Sequence, residues 1–327
     1  MKLIAFGVRE DEEDYMEPIA KSFGFEIKIC HEHLSLNTVN LAKGYDAVSI
    51  VGVDKANRDI LECLSKYGIK ALSTRTIGYN HIDLKAAEEF GIDVSNVAYS
   101  PNSVADFTVM LMLILVRRFA HMLERSRCMD YSLEGIQGKE MHNLTIGIIG
   151  MGRIGSCVAK NLQGFGCKVL AYARHPKEDQ KKLVEFVDLD TLIQNSDIIT
   201  LHLPLTEQTR YMINEKTIRK MKRGVILINT SRGELIDTNA LIDGIESGVV
   251  GGAGIDSIEG EENIIHIDHN YQVIKNRDLL TLKAYPNVVV TPHAAFFTDQ
   301  VSYDMVHCSF EGLYDFLSGK PCPWKLN

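Results

Sequence analysis

The segment NLTIGIIGMGRIGSCVAKNLQGFGCKVLAYA, residues 143–173, constrains the fold more than any other part of the chain. An apolar run leads into a glycine-rich turn, and an amphipathic run then leads into a second apolar run. This order predicts a strand, a tight turn, a helix and a second strand. Strands joined through a helix pair in parallel, because a parallel connection needs a crossover. The segment therefore predicts a parallel sheet and an α/β fold.

The turn GMGRIG has the spacing of a dinucleotide-binding fingerprint. Gly150 and Gly152 let the backbone turn and approach a pyrophosphate, and Gly155 lets the helix pack close to the sheet. The amides of Arg153 and Ile154 lie in the first turn of the helix, where the helix dipole favours a phosphate. Three glycines in an ordinary turn are the alternative, because GxGxxG alone is a weak signal. The flanking strands and helix favour the dinucleotide site.

The same alternation of strands and helices runs along the whole chain and divides it into two blocks. We expect a substrate-binding domain over 1–99 and 300–327, and a dinucleotide-binding Rossmann domain over 100–299. The fold expected is two Rossmann-like or flavodoxin-like domains with parallel sheets and a cleft between them. One helix of the second block opens with a cap at Asp237. Predicted strands lie in KLIAFGV, EIKIC, AVSIVG, IKALSTR, IDVSNV, LTIGIIG, KVLAYA, DIITLHLP, VILINTSR, GGAGIDSI and NVVVTPH.

Charge and cysteine content indicate the class of partner and the compartment. A net charge of −8 and a pI near 5.8 argue against nucleic acid or an anionic membrane as the main partner. Seven cysteines without a CxxC pair indicate a reducing compartment and no metal site. The N-terminus lacks the features of a signal peptide, and the most apolar segment, residues 104–116, is too short to cross a bilayer. We therefore expect a cytoplasmic protein.

The strand after the glycine turn ends without the acid that binds the adenine ribose of NAD in this motif. The sequence KVLAYARHPKE has Ala173 at that place, followed by Arg174, His175 and Lys177. A carboxylate would repel the ribose phosphate of NADP, whereas a guanidinium binds it through two parallel hydrogen bonds. The sequence therefore favours NADP(H). The alternative is that these basic residues form a solvated surface loop and that NAD(H) binds through backbone contacts alone.

Three ionisable residues follow strand ends, on the side where open α/β sheets bind ligands. Arg232 ends VILINTSR, Glu261 follows GIDSIEG, and His293 ends NVVVTPH. A cation for an anionic substrate, a base and a carboxylate that orients the base form a coherent set. Each residue alone is a weak signal, because a salt bridge, a surface acid or a structural histidine would explain it equally well.

Motifs along nearly the whole chain resemble the D-2-hydroxyacid dehydrogenase family. The resemblance is greatest to D-lactate dehydrogenases, and within them to the pyruvate reductases of vancomycin-resistance clusters, which share NVAYSP, GFGCKVLAY and a basic residue in place of the ribose acid. The motifs are TRTIGYNHID, NVAYSPNSVAD, GMGRIG, SDIITLHLPLTEQT, INTSRGELID, GIDSIEGEE and TPHAAFFTDQ.

The resemblance implies roles for the three ionisable residues. Arg232 binds the substrate carboxylate and polarises the keto oxygen. His293 is the general acid in reduction and the base in oxidation, and Glu261 hydrogen-bonds His293 and favours its protonated form.

The resemblance also implies contacts with cofactor and substrate. Asp256 meets the nicotinamide carboxamide, and the backbone amides of Ile77 and Gly78 hold the substrate carboxylate. Tyr99 and Phe296 lie at positions that line the substrate pocket. Further cofactor contacts are implied at Pro204, Thr230 and Ser231.

The implied activity is reversible, NAD(P)H-dependent reduction of a 2-oxo acid, with pyruvate and D-lactate favoured. Relatives often have a tyrosine where this chain has the pair Phe296 and Phe297, and one has a tryptophan near the position of Leu133. These departures make bulkier branched or aromatic 2-oxo acids, such as phenylpyruvate, the alternative. A different class of function is a cofactor-sensing corepressor-like interaction protein, which this fold also serves.

The long apolar helix predicted from Ser103 to Arg118, with Ser103 as its cap, resembles the family's dimerisation helix. Its apolar surface exceeds what one exposed face needs, which favours a homodimer. Burial of the helix within one monomer is the alternative.

Overall fold

The computed structural model describes residues 1–262 and 264–327. They form two compact units, residues 1–100 with 297–327 and residues 101–296. The substrate-binding and dinucleotide-binding roles expected for 1–99 with 300–327 and for 100–299 stay predictions.

The first unit contains a five-stranded parallel sheet in the order β2-β1-β3-β4-β5. Helices connect its strands, as parallel pairing requires. Its elements are β1 (Lys2–Ala5), α1 (Glu10–Ser22), β2 (Glu26–Ile29), β3 (Ala47–Ile50), α2 (Arg58–Lys66), β4 (Ala71–Thr74), α3 (Leu84–Glu89) and β5 (Asp93–Ser95).

The second unit contains a seven-stranded parallel sheet in the order β12-β11-β10-β9-β6-β7-β8. Its helices are α4 (Asn102–Val116), α5 (Phe119–Arg127), α6 (Arg153–Leu162), α7 (Leu189–Asn195), α8 (Glu215–Ile218), α9 (Thr238–Glu246) and α10 (Arg277–Ala284). Its strands are β6 (Thr145–Ile149), β7 (Lys168–Tyr172), β8 (Glu185–Phe186), β9 (Ile198–Leu201), β10 (Val225–Asn229), β11 (Val250–Ile255) and β12 (Val288–Val290). The chain then returns to the first unit with α11 (Asp299–Leu317).

The predicted α/β fold with two parallel sheets is confirmed, and every predicted strand run contains a strand. The sequence analysis missed β8, because a strand of two residues has no periodicity to detect. From β6 the chain builds outward through β7 and β8, and it then crosses to β9 on the other side. The turn after β6 therefore lies at a topological switch point, where open sheets bind ligands.

Helix α4 differs from its prediction at both ends. It begins at Asn102, and the Ser103 hydroxyl donates to the carbonyl of Ala295 at 2.8 Å, so Ser103 is not the cap. It ends at Val116, because Arg118 takes a left-handed φ of 51° and α5 follows. The Asp237 cap of α9 is confirmed by bonds to two backbone amides. No described helix combines the length and the apolar character that a bilayer crossing requires.

A buried ion pair lies at the centre of the first unit. Arg75 follows β4, and its Nε donates to Oε1 of Glu12 on α1 at 2.9 Å; both side chains are fully buried. The remaining guanidinium nitrogens donate to Ser49 Oγ and to the Phe6 carbonyl, each at 2.9 Å. The pair therefore ties β1, β3, β4 and α1 together, and its hydrogen bonds offset the loss of hydration.

Replacing Glu12 with alanine leaves Arg75 as a buried charge without its counterion. We expect this variant to lose about 3 to 5 kcal/mol of unfolding free energy in a denaturant titration of the full chain. Glu17→Ala, at an exposed position of the same helix, serves as the control and should change stability by no more than about 0.5 kcal/mol. Equal stability of the two variants would contradict the role given to the pair.

Candidate active site

The glycine turn after β6 leaves room for a ligand on one side only. Gly150 has a φ of 102°, and a Cβ there would lie 2.3 Å from the carbonyl oxygen of His202, so only glycine fits. Gly155 packs as closely, since its Cβ would lie 2.0 Å from the Gly150 carbonyl oxygen. At Gly152, by contrast, a Cβ would meet no other part of the described chain within 4 Å.

Helix α6 begins at this turn with Arg153 and Ile154 in its first turn, as predicted. Gly152 is its N-cap residue, and no side chain of the described residues caps the helix there. Open space above Gly152 and a helix N-terminus with positive partial charge suit a pyrophosphate. The residues present therefore fit a bound dinucleotide.

The basic segment after β7 is held against the glycine turn by a residue that the sequence analysis missed. Gln180 is buried, and its Nε2 donates to the Met151 carbonyl at 2.9 Å and to Ser156 Oγ at 2.8 Å. Ala173 packs against the core, whereas Arg174 is exposed and forms no ion pair with any residue that the structure describes. The loop is fixed at Gln180, and the Arg174 guanidinium faces solvent.

The contact predicted between Glu261 and His293 is present. Nδ1 of His293 lies 2.6 Å from Glu261 Oε1, and Glu261 Oε2 accepts from the Ile258 amide at 2.8 Å. An ionised carboxylate only accepts, so Nδ1 carries a proton and Nε2 is the nitrogen left for a reactant. Within the described part of the chain, Nε2 has no hydrogen-bond partner, and the His293 side chain is 23% exposed.

Asp256 fixes the loop that carries His293. This carboxylate is buried at the end of β11, and its Oδ1 accepts from Thr291 Oγ1 at 2.6 Å and from the Ala294 amide at 2.9 Å. Its Oδ2 accepts from the Ala295 amide at 2.9 Å. Between these anchors His293 has a left-handed φ of 53°. The contact with a nicotinamide carboxamide, expected for Asp256, stays a prediction.

Arg232 lies in the turn after β10, next to the turn after β11. The Asn229 side chain donates to the Arg232 carbonyl at 2.8 Å and accepts from the Ser231 amide at 3.1 Å, which closes the turn. A Cβ at Gly233 would lie 2.2 Å from the Glu259 amide nitrogen, so a side chain there would force the two turns apart. The guanidinium donates to the Ser231 carbonyl at 2.7 Å and is partly exposed.

Thr230 and Ser231, predicted to contact the cofactor, have hydroxyls that lie within hydrogen-bonding distance of other residues of the protein. Thr230 is buried, with its hydroxyl 3.0 Å from that of Thr108. The Ser231 hydroxyl donates to the Leu201 carbonyl at 2.7 Å. Pro204 lies exposed after β9. Their contacts with a dinucleotide stay predictions.

The predicted substrate residues Ile77, Gly78 and Tyr99 lie in the first unit. Ile77 and Gly78 follow β4 and the buried Arg75. The Ile77 carbonyl accepts from Asn96, and the Gly78 carbonyl accepts from Thr76. No acceptor among the described residues takes the backbone N–H of Ile77 or Gly78, so both donors are open to an anion.

Phe296 contacts both His293 and His266, a residue that the sequence analysis did not single out. The Phe296 ring centroid lies 6.5 Å from that of His293 and 6.0 Å from that of His266. His266 lies in the long connection between β11 and α10, where no periodic pattern marks individual positions.

The chain is similar to known proteins over its full length. The family model described as "D-isomer specific 2-hydroxyacid dehydrogenase, NAD binding domain" matches residues 109–295. An aromatic 2-oxoacid reductase of Clostridium sporogenes is 44% identical over 97% of this chain and 96% of its own. A D-lactate dehydrogenase structure from Treponema pallidum matches with a TM-score of 0.93 and 32% identity, over 100% of both chains. The NAD-complexed D-isomer specific 2-hydroxyacid dehydrogenase from Lactobacillus delbrueckii ssp. bulgaricus matches with a TM-score of 0.88 and 33% identity, also over 100% of both chains.

His202, which follows β9 beside the glycine turn, is a neutral imidazole within the site. Its Nε2 lies 3.0 Å from Thr200 Oγ1, and its buried Nδ1 has no partner among the described residues. Burial lowers the pKa of His202 to about 3, because the charged form has lost its water.

This lowered pKa predicts a loss of stability in acid. The unfolded chain protonates His202 near pH 6.5, about the ordinary value, whereas the folded chain does so only near pH 3. The unfolded state therefore binds the extra proton between these values, and the stability present above about pH 6.5 is lost as the pH falls. Between about pH 5.5 and 4.5, the unfolding free energy of the wild type should fall by about 1.4 kcal/mol per pH unit more than that of His202→Asn. Parallel curves for the two proteins would contradict the neutral, buried imidazole.

Proposed function

Because this chain belongs to the D-isomer specific 2-hydroxyacid dehydrogenase family, we propose that it reduces a 2-oxo acid to the D-2-hydroxy acid through Arg232, Glu261 and His293. The observation that supports this assignment most directly is the 2.6 Å contact between Glu261 and His293 Nδ1. It leaves Nε2 as a proton donor held in one orientation.

In the proposed mechanism, Arg232 binds and polarises the substrate and His293 transfers the proton. The Arg232 guanidinium binds the substrate carboxylate and draws electron density towards the keto oxygen. Nicotinamide dinucleotide, when bound at the glycine turn, supplies the hydride to the keto carbon. His293 Nε2 gives its proton to the oxygen as negative charge develops there, and Glu261 holds the ring in position through Nδ1. In oxidation His293 takes the proton back.

We keep Ile77, Gly78 and Tyr99 as proposed substrate contacts. Two adjacent amides without protein acceptors are donors suited to a carboxylate, and they follow a strand end anchored by Arg75.

Two substrates are proposed. Pyruvate is the one that the motifs favour, with D-lactate as product. Phenylpyruvate is the second, because Phe296 places an aromatic ring without a hydroxyl beside His293 and because the Clostridium sporogenes relative is an aromatic 2-oxoacid reductase.

The second unit is an NAD-binding domain of this family. We propose that it also accepts NADP(H), and prefers it, through Arg174. Support comes from Ala173 at the place of the ribose acid, and from the exposed guanidinium on a loop that Gln180 fixes to the glycine turn.

We propose a homodimer formed through α4 and α5. Although half of α4 is buried, Met110 is 40% exposed and Phe119 52% exposed. They line an open pocket of about 710 Å³ together with Leu113, Ile114 and Met122. We propose the cytoplasm as its location, because seven cysteines without a CxxC pair fit a reducing compartment.

The proton-donor role predicts the effect of His293→Ala. We expect kcat for 2-oxo acid reduction to fall about 100- to 10,000-fold, while the NADH dissociation constant stays within about threefold, since binding is separate from proton transfer. His31→Ala, which removes a largely exposed imidazole of the first unit, is the control. Retained turnover in His293→Ala would contradict the role, and absence of turnover in the wild type would favour an interaction protein.

The cofactor proposal predicts the effect of Arg174→Ala. The wild type should have a higher kcat/KM with NADPH than with NADH, and the variant should lose about 10- to 100-fold with NADPH alone, as expected for a charge-assisted pair. Arg219→Ala removes a highly exposed guanidinium of the same unit and should change neither value. A wild type that prefers NADH would refute the NADP(H) preference.

A further inference from the structure

Three aromatic rings meet at His293. The His266 ring centroid lies 6.4 Å from that of His293 and 6.0 Å from that of Phe296, and the Phe296 centroid lies 6.5 Å from that of His293. All three pairs meet edge to face, with interplanar angles of 66°, 63° and 71°. Such arrangements are attractive beyond the area they bury.

His266 is also bonded to the His293 backbone. Its Nε2 lies 3.2 Å from the His293 carbonyl oxygen, and a carbonyl only accepts, so Nε2 is the donor. His266 has a φ of 59°, an uncommon conformation for a residue with a side chain. This combination of an unusual backbone, one hydrogen bond and two ring contacts holds an exposed imidazole beside the proton donor.

The proposed proton transfer does not use the contacts that His266 makes. Proton transfer uses Nε2 of His293, while Nδ1 is engaged by Glu261. His266 contacts neither nitrogen by a hydrogen bond: its ring packs edge to face with that of His293, and its Nε2 bonds the His293 carbonyl. His266 therefore contributes a second aromatic ring, which lies beside that of Phe296.

We propose that His266 is a specificity-determining residue that, with Phe296, selects 2-oxo acids with an aromatic side chain. This inference rests on the proposed reduction of a 2-oxo acid at His293. The methyl group of pyruvate stays beside the keto group, whose oxygen must lie within hydrogen-bonding reach of His293 Nε2. The rings of His266 and Phe296 are centred 6.4 and 6.5 Å from that imidazole, the distance that a phenyl ring one methylene further out can span. In the proposal this phenyl ring packs against them.

The test compares two substrates in three proteins. kcat/KM is measured for phenylpyruvate and pyruvate with the wild type, His266→Phe and His266→Asn. His266→Phe keeps a ring and loses the donor. His266→Asn keeps a donor and tolerates a positive φ, but loses the ring. His269→Asn is the matched control, because His269 lies in the same connection and, among the residues that the structure describes, bonds only to the Ile264 carbonyl, at 3.0 Å.

We expect the wild type to reduce both phenylpyruvate and pyruvate. His266→Asn should lower the phenylpyruvate-to-pyruvate ratio about 3- to 10-fold, the range of one aromatic pair, through loss on phenylpyruvate alone. His266→Phe and His269→Asn should keep the wild-type ratio within about twofold, and unfolding midpoints verify that each variant is folded.

Two results would overturn the inference: an unchanged ratio in His266→Asn, or an equal loss on both substrates. Each leaves the proposed reduction intact, since turnover is present. A wild type that reduces neither substrate refutes the proposed function itself, and the inference with it.

Discussion

The buried carboxylate of Asp256 is the interaction on which the candidate site depends. Its three hydrogen bonds come from residues 291–295, so this short stretch is fixed to the end of β11 on both sides of His293. A positive φ at His293 is costly for a residue with a side chain and persists because its neighbours on either side are held. The orientation of the His293 imidazole therefore depends on the Asp256 carboxylate, which bonds the neighbouring residues and not the imidazole ring.

Sheet topology supplies the rest of the geometry. β10, β11 and β12 are neighbours in one parallel sheet, so their carboxyl ends open at the same edge. Arg232 follows the first of these strands, Glu261 the second and His293 the third. All three side chains thus follow neighbouring strands at one edge of the sheet, and Glu261 contacts His293 there. The strands fix the positions of these three residues, and the turns that follow the strands orient their side chains.

Strand runs and the glycine turn could be predicted from sequence, because each follows from local periodicity or from motif spacing. The contact between Glu261 and His293 was implied by the resemblance to the family, since the two residues lie 32 positions apart. The pair of Glu12 and Arg75 could not be predicted, since the two residues are far apart in sequence and each reads as ordinary surface charge. Gln180 and His266 were missed for a related reason. Neither belongs to a motif, and each gains its role only through a carbonyl brought near by tertiary folding. The start of α4 was misplaced because Ser103 has the chemistry of a cap, while the fold uses its hydroxyl for Ala295.

The most direct test of this account measures single-turnover reduction and NADH affinity together in Asp256→Asn. An asparagine keeps one acceptor oxygen and replaces the other with a donor that faces the Ala295 amide. If Asp256 holds the His293 loop, the single-turnover rate should fall about 100-fold, as for a displaced general acid, with NADH affinity changed by no more than about threefold. An unchanged rate at saturating NADH, with affinity for NADH lost, would show instead that Asp256 serves the dinucleotide and that the His293 loop stands without it.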